Sequence, residues 1–111
     1  MGVDLSLFPV GHVIARDWCS FSRIEVNRRR ELWPAVHALP AVAIGTLTGY
    51  LDKGFHAETT DKYGARLKAV TAGDLATLAA APGIADDSQN RAVWAYLAAL
   101  PPATDIVLYW H

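Results

Sequence analysis

The sequence predicts a single α+β domain, mainly an antiparallel sheet of about four strands packed with about three helices. The length of 111 residues and the hydrophobic content of 52% suit one domain with one core. Strand-like apolar patterns stand near both ends of the sequence, and the segments between them carry apolar residues at helical spacing. The predicted order is β, β, α, β, β, α, α, β, with the first and last strands in the middle of the sheet.

The first strand is predicted at residues 2–8, because Val3, Leu5 and Leu7 alternate with polar residues as on a half-buried strand. Pro9 lacks an amide hydrogen, so we expect it to interrupt the ladder. Residues 12–26 contain short β-prone patches at 12–14 and 23–26, which indicate a hairpin arm or a loop with strand ends.

The first helix is predicted at residues 28–39, with Asn27 as its N-cap. Pro34 removes one amide and favours a ragged or kinked start, and Pro40 ends the helix. The apolar face of this helix is formed by Leu32, Val36 and Leu39.

Residues 41–51 predict a weak strand that runs into a long polar loop ending near residue 60. Gly45 and Gly49 are interpreted as glycines for backbone twist or close packing, because the Lys-Ser or Lys-Thr pair of a phosphate-binding loop does not follow them. Residues 61–64 have turn chemistry, and residues 66–70 alternate like an exposed strand.

Thr71 and Asp74 form a predicted capping box for a helix over residues 72–81, which Pro82 and Gly83 end. A second cap, from Asp86 with Gln89, predicts a third helix. Its apolar stripe contains Val93, Leu97 and Leu100, flanked by Trp94 and Tyr96. Residues 105–110 have the β-branched and aromatic content of a well-packed strand.

The ten Lys and Arg residues nearly balance the eleven Asp and Glu residues, giving a formal charge of -1. This balance argues against a general attraction to nucleic acid or to an anionic membrane. The single cysteine, Cys19, cannot form an intramolecular disulfide, and the sequence contains neither a signal-peptide pattern nor an apolar run of membrane-spanning length. We therefore expect a cytoplasmic protein that does not enter membranes.

Catalytic and metal-binding signatures do not appear in the sequence, so no catalytic, metal or cofactor site is predicted from it. The four histidines, at positions 12, 37, 56 and 111, are scattered, and neither a C-x-x-C nor an H-E-x-x-H spacing occurs. Cys19 follows Trp18 in an apolar stretch and is interpreted as a small buried side chain. A site assembled from distant residues stays open.

Two groups of residues are candidates for binding. Four of the seven arginines fall within eight positions, namely Arg23, Arg28, Arg29 and Arg30. Their guanidinium groups suit carboxylate or phosphate partners, although a solvated helix face neutralised by Glu25 and Glu31 would also explain them. The second group combines aromatic residues with one histidine in the polar region: Tyr50, Phe55, His56 and Tyr63. These side chains are either interface anchors or fold back onto the domain.

Parts of the sequence resemble small uncharacterised proteins of bacteriophages and prophages. The resemblance covers about a third of the chain and includes three motifs: Met1-Gly2-Val3-Asp4-Leu5, the Arg-rich stretch Asn27-Arg28-Arg29-Arg30-Glu31-Leu32-Trp33, and the closing aromatic strand at 105–110. That family usually places Cys and His around the opening Asp, where this chain has Val3 and Leu5, so no metal or thiol role transfers. The resemblance implies a mobile-element accessory protein of the kind that includes anti-CRISPR inhibitors.

Three functions follow as hypotheses. The first is a non-enzymatic module that binds a host protein or protein complex and inhibits a bacterial defence system, with no cofactor. The second is a phosphate or nucleic-acid binder that uses the arginine group. The third is a small enzyme whose site is built from non-contiguous residues.

Overall fold

The computed structural model describes residues 3–10, 17–20 and 22–111 and confirms the α+β class. The described strands are β1 (Leu5–Val10), β2 (Asp17–Cys19), β3 (Ile24–Val26), β4 (Val42–Ala43), β5 (Thr46–Leu51), β6 (Gly54–Glu58), β7 (Lys68–Thr71) and β8 (Asp105–Trp110). The helices are α1 (Leu32–His37), α2 (Ala72–Thr77), which continues as a 3-10 turn (Leu78–Ala80), and α3 (Ser88–Ala99). The β-prone patch predicted at 12–14 lies outside the described residues.

The larger sheet has five strands in the order β3-β1-β8-β7-β4, and all of its neighbours are antiparallel. The strand near the C-terminal end of the sequence, β8, is therefore the central one, and β1 lies directly beside it. This confirms that the first and last predicted strands lie in the middle of the sheet. Such a position suits their apolar sequences, because β1 and β8 contribute side chains to a hydrophobic core on each face of the sheet.

Both faces of β1 are buried, whereas the sequence pattern predicted a half-buried strand. Leu5 and Leu7 point to a core shared with the helices, and Phe8 and Val10 point to a second core shared with the smaller sheet. Ser6 is the polar residue that produced the apparent alternation, and it is also fully buried. The five-stranded sheet is thus the middle layer between the helices and the smaller sheet.

Pro9 lies within β1 and does not interrupt it, contrary to expectation. The backbone amides of Asp4 and His111 bond reciprocally to each other's carbonyl oxygens, so alternate residues of β1 direct their amides toward β8. By this alternation Pro9 would direct an amide toward β3, and β3 pairs only with residues 5–7 of β1. The missing amide hydrogen therefore costs no ladder bond.

The smaller sheet, in the order β2-β5-β6, corrects the prediction of a long loop after residue 51. Strands β5 and β6 form a hairpin in which Leu51 pairs with Gly54 across a two-residue turn, and Gly54 has a φ of 89°. That left-handed conformation suits glycine, and it allows the chain to reverse where the polar composition suggested an open loop.

Gly49 is required by packing between the sheets, as its interpretation predicted. A Cβ atom at this position would lie 3.0 Å from the carbonyl oxygen of Ser20 and 3.4 Å from the ring of Phe8. Gly45 differs, because a Cβ atom there would meet no heavy atom within 4 Å. Of these two glycines, Gly49 is therefore the one on which the close approach of β5 to β1 depends.

Helix α1 begins at Leu32, later than the predicted start at residue 28, and its N-cap is Glu31. Asn27 is not the cap, because its side chain donates to Asp87 and its backbone amide donates to Asn90 at the start of α3. With the later start, Pro34 falls in the first turn, where helix amides have no intrahelical acceptor.

The two later helices follow the sequence closely. The Thr71 hydroxyl caps α2 by accepting the Asp74 amide over 3.1 Å, which confirms the predicted cap. The cap of α3 is Asp87, one residue beyond the predicted Asp86, which accepts the Gly83 amide instead. None of the helices in the described ranges is long and apolar enough to cross a membrane.

Candidate functional site

The arginine group is largely engaged with the protein itself. Arg28 forms a bidentate salt bridge with Asp4, in which Nε donates to one carboxylate oxygen over 3.0 Å and Nη2 donates to the other over 2.9 Å. The bond favours the ionised carboxyl group, so the pKa of Asp4 lies below its ordinary value. This pair ties the segment before α1 to the start of β1.

Arg29 also has a structural role, because it holds the segment before α3. Its Nε donates to the carbonyl oxygen of Gly83 over 2.9 Å, and its terminal nitrogens lie 3.6 Å from carboxylate oxygens of Asp86 and Asp87. Arg30 differs from both neighbours. Its side chain is exposed, and it has no hydrogen-bond or ion-pair partner within the described ranges.

Arg23 lies apart from the other three arginines, between β3 and the β5–β6 hairpin. It forms a hydrogen-bonded ion pair with Glu25 and donates to the carbonyl oxygen of Tyr50 over 3.1 Å. Its guanidinium carbon also lies 6.0 Å from the ring centre of Phe8. The arginine group predicted from the sequence is therefore not one patch, since only three of its members lie near α1.

Ser6, Glu25 and His111 bring a hydroxyl, a carboxylate and an imidazole within bonding range. Ser6 Oγ donates to Glu25 Oε1 over 2.9 Å and lies 2.8 Å from His111 Nε2. In a nucleophilic triad the carboxylate holds Nδ1 of the histidine, whereas here Glu25 and Ser6 both approach Nε2. Ser6 is fully buried as well. The arrangement links β3 and the end of β8 across β1 and differs from a catalytic triad in both geometry and access.

Tyr109 extends this polar network toward the smaller sheet. Its hydroxyl donates to Asp52 over 3.3 Å. Burial of the phenol, together with the negative charge of Asp52, raises the pKa of Tyr109 to about 12. The group stays neutral at physiological pH and serves as a hydrogen-bond donor.

The aromatic candidates occupy the hairpin and the turn that follows it. Tyr50 and Phe55 pair across β5 and β6 with ring centres 4.9 Å apart, and both are about half exposed. On β6, the Nε2 of His56 lies 3.0 Å from a carboxylate oxygen of Glu58. Tyr63 is exposed in a turn held by Asp61, whose side chain accepts the amides of residues 63 and 65. Tyr50, Phe55 and Tyr63 face solvent, whereas His56 is half-buried opposite Gly49 of β5.

A larger exposed aromatic group lies on α1, and the sequence analysis did not single it out. Trp33, His37 and Trp110, here called the tryptophan cluster, pack against one another. The ring centres of Trp33 and His37 are 3.8 Å apart, and Trp33 meets Trp110 edge to face with ring centres 4.7 Å apart. Trp110 is buried, but Trp33 is 46% exposed. An exposed tryptophan beside arginine side chains has the composition of a protein–protein contact surface.

Two hollows flank the tryptophan cluster and share Trp110 in their walls. The first, called the arginine hollow, is open and is lined by Val3, Arg28, Arg29, Arg30, Leu32, Trp33 and Trp110. The second, called the lysine pocket, encloses about 90 Å³ and is lined by Val36, His37, Leu39, Ala41, Asp61, Ala65, Arg66, Lys68, Leu108 and Trp110. Aromatic and basic side chains therefore alternate across this part of the surface.

One sequence signal could have indicated this surface. Trp33 and His37 stand four positions apart on α1, each one position after a buried residue, Leu32 or Val36, so they mark a second, neighbouring face of the same helix. The contribution of Trp110 could not be read from the sequence, because it depends on β8 lying beneath α1.

The other residues with metal-binding or nucleophilic chemistry are dispersed. Within residues 3–10, 17–20 and 22–111, no three His, Cys, Asp or Glu side chains are grouped closely enough to hold a metal ion. Cys19 is half-buried on β2. His12 lies outside the described part of the chain.

Comparisons with known proteins add no family to this description: the chain matches no family model, no curated protein and no solved structure.

Proposed function

We propose that this protein is a non-enzymatic protein-binding module whose contact surface is the tryptophan cluster with its two flanking hollows. The observation that carries the proposal is the exposure of Trp33, which packs against His37 and Trp110 beside Arg30, an arginine with no hydrogen-bond or ion-pair partner among the described residues. Tryptophan and arginine are the residues most enriched among binding hot spots. Packing against His37 and Trp110 also restricts the Trp33 ring, so little side-chain entropy is lost on binding.

The charges around the cluster favour a protein over nucleic acid. Two of the three arginines near α1 are already neutralised, Arg28 by Asp4 and Arg29 by Asp86 and Asp87. A protein that follows a phosphate backbone needs several free cations, and each releases counterions on binding. One arginine that has no partner in the described part of the chain, beside a tryptophan, suits a mixed polar and apolar protein interface better.

We further propose that the partner is a host protein or protein complex, and that the chain is a phage or mobile-element accessory protein of the anti-CRISPR kind. The resemblance of the motifs around Met1 and Asn27 and of the closing strand to phage and prophage proteins supports this finer proposal. Tyr50, Phe55 and His56 would supply a second contact region on the hairpin, and Tyr63 would add a contact in the turn at residues 61–64.

The contact surface can be tested by capturing partners from a bacterial lysate, identifying them by mass spectrometry and measuring the Kd of the purified complex. Trp33→Ser should weaken the complex by about 30-fold or more, the loss expected for a hot spot of about 2 kcal/mol. Arg30→Glu should also weaken it, since Arg30 has no described internal partner to lose.

Tyr96→Ser is the matched control, because Tyr96 is an exposed aromatic residue on α3, outside the linings of both hollows. Equal weakening by Tyr96→Ser and Trp33→Ser would remove the tryptophan cluster from the proposal. A Kd that rises steeply between low and moderate salt would instead favour nucleic-acid binding.

A further inference from the structure

The lysine pocket has the size of one amino-acid side chain. Its volume of about 90 Å³ is well below the roughly 300 Å³ at which sites for drug-sized molecules and cofactors begin. An engineered protein cavity of about 150 Å³ holds one benzene molecule. The smaller lysine pocket therefore suits a single aliphatic group. Size alone therefore points to a side chain inserted from outside.

The floor of the pocket is apolar. Val36 and Leu39 come from α1 and the residues after it, and Leu108 and Trp110 come from the central strand β8. All four belong to the helix-side core or pack against it. An inserted aliphatic group would thus extend an existing hydrophobic core and lose its contact with water.

The rim of the pocket carries a net positive charge. Lys68 is exposed and has no hydrogen-bond or ion-pair partner among the described residues. Arg66 is also exposed, and its guanidinium donates to the carbonyl oxygen of Ile44 over 3.3 Å, which fixes its position without neutralising it. Asp61 is the acidic residue of the lining, and its Oδ1 accepts two amides of its own turn.

His37 completes the rim and is held in a fixed orientation. Its Nδ1 lies 3.0 Å from the carbonyl oxygen of Trp33, which can only accept, so Nδ1 carries the proton of this bond. Around the rim, the two cations Lys68 and Arg66 face the one carboxylate of Asp61. An apolar floor beneath a cationic rim is complementary to an aliphatic side chain with acidic neighbours.

We infer that the lysine pocket receives one aliphatic side chain, of about leucine size, from an acidic segment of a partner protein, while a neighbouring carboxylate of that segment pairs with Lys68. This inference rests on the proposed function and specifies the chemistry of the partner. A bare phosphate fits less well, because it would leave the apolar floor formed by Val36, Leu39 and Leu108 uncovered.

The probe for this inference is a fluorescently labelled synthetic peptide in which one leucine is flanked on both sides by Glu and Asp, with binding measured by fluorescence anisotropy. Two matched peptides replace the leucine by alanine or the acidic residues by lysine. Each change should weaken binding by about tenfold, equivalent to about 1.4 kcal/mol. Equal binding of the three peptides, or no binding of the acidic leucine peptide, would overturn the inference.

Variants of the protein test the role of Lys68 directly. Lys68→Glu should weaken binding of the acidic leucine peptide by about tenfold or more, and Lys68→Arg should restore it. Lys53→Glu makes the same charge change in the exposed hairpin turn, outside the pocket lining, and should leave binding unchanged. Equal weakening by both Glu variants would show general electrostatics, and displacement of the peptide by inorganic phosphate would show a simple anion site. Either result would overturn the inference.

Binding of the two variants to the captured partner distinguishes failure of this inference from failure of the proposed function. If Trp33→Ser loses the partner while Lys68→Glu retains it with unchanged Kd, the protein-binding function stands and the pocket chemistry is wrong. If neither variant affects the partner, both are wrong. Circular dichroism of each variant confirms that the fold is retained.

Discussion

At the scale of single residues, side chains that look alike in the sequence differ in their burial and in their hydrogen-bond and ion-pair partners. Arg28, Arg29 and Arg30 are adjacent, yet Arg28 bonds Asp4, Arg29 bonds the segment before α3, and Arg30 faces solvent. The sequence shows the cluster of charge but not the acidic partners, which come from positions 4, 86 and 87. Which arginine is available to a partner could therefore be decided only in three dimensions.

The bond between Asp4 and Arg28 predicts a specific dependence of stability on pH. Because the pKa of Asp4 is lowered in the folded state, its stabilising effect is present above the unfolded pKa and is lost as the pH falls through the folded value. Asp4→Asn should lower the Tm at neutral pH, and the difference from the unsubstituted protein should shrink below about pH 4.

Thermal unfolding followed by circular dichroism from pH 2 to pH 7 measures this difference. Arg30→Gln serves as the control, since it removes a neighbouring charge with no described internal partner and should shift the Tm little at any pH. A difference between Asp4→Asn and the unsubstituted protein that stays constant down to the lowest pH would contradict the assigned role of Asp4.

At the scale of elements, local signals predicted the segments that carry strong chemistry of their own. The Thr71 cap, the apolar stripe of α3 and the β-branched run of β8 lie close to where the sequence placed them. The β6 strand was missed because Phe55 and Ala57, its apolar positions, are exposed and its pairing depends on β5. The intrinsic strand propensity of a segment is a weak predictor wherever tertiary contacts decide its conformation.

Strand β5 provides a test of packing between the two sheets. Gly49→Ala should lower the free energy of unfolding by about 1–3 kcal/mol, because the added methyl group would push against the Ser20 carbonyl oxygen and the Phe8 ring. Gly45→Ala places the same methyl group in open space and should change stability by less than about 0.5 kcal/mol. Urea denaturation measures both, and equal effects of the two substitutions would contradict the close approach of β5 to β1.

At the scale of the whole molecule, three layers share one central sheet. The helix-side core and the core beneath the smaller sheet both take side chains from β1 and β8, so neither can form without these strands. The sequence predicted the class and the central strands, since both strands are rich in apolar residues. It did not predict the second sheet, because a parallel pairing between β2 and β5 leaves no local signature.

The shared strands predict cooperative unfolding. Leu7→Ala and Phe8→Ala remove neighbouring side chains of β1 from opposite cores, and each should lower the free energy of unfolding by about 2–5 kcal/mol. Both variants should still unfold in one transition, with tryptophan fluorescence and far-ultraviolet circular dichroism giving the same midpoint.

Val42→Ala is the control for these two variants, since Val42 is exposed on an edge strand, and its effect should stay within about 0.5 kcal/mol. Separate midpoints for the two signals in Phe8→Ala would mean that the smaller sheet unfolds independently.

The central place of β8 has a consequence for biosynthesis. A ribosome makes β1 before β7, yet the strand that pairs with both emerges after every other described element. Until then the nascent chain must hold two apolar strands without their shared neighbour, a state that attracts chaperones and invites aggregation. The five-stranded sheet can close only after residues 105–110 leave the exit tunnel, so β1 and β7 wait for β8 before the sheet is complete.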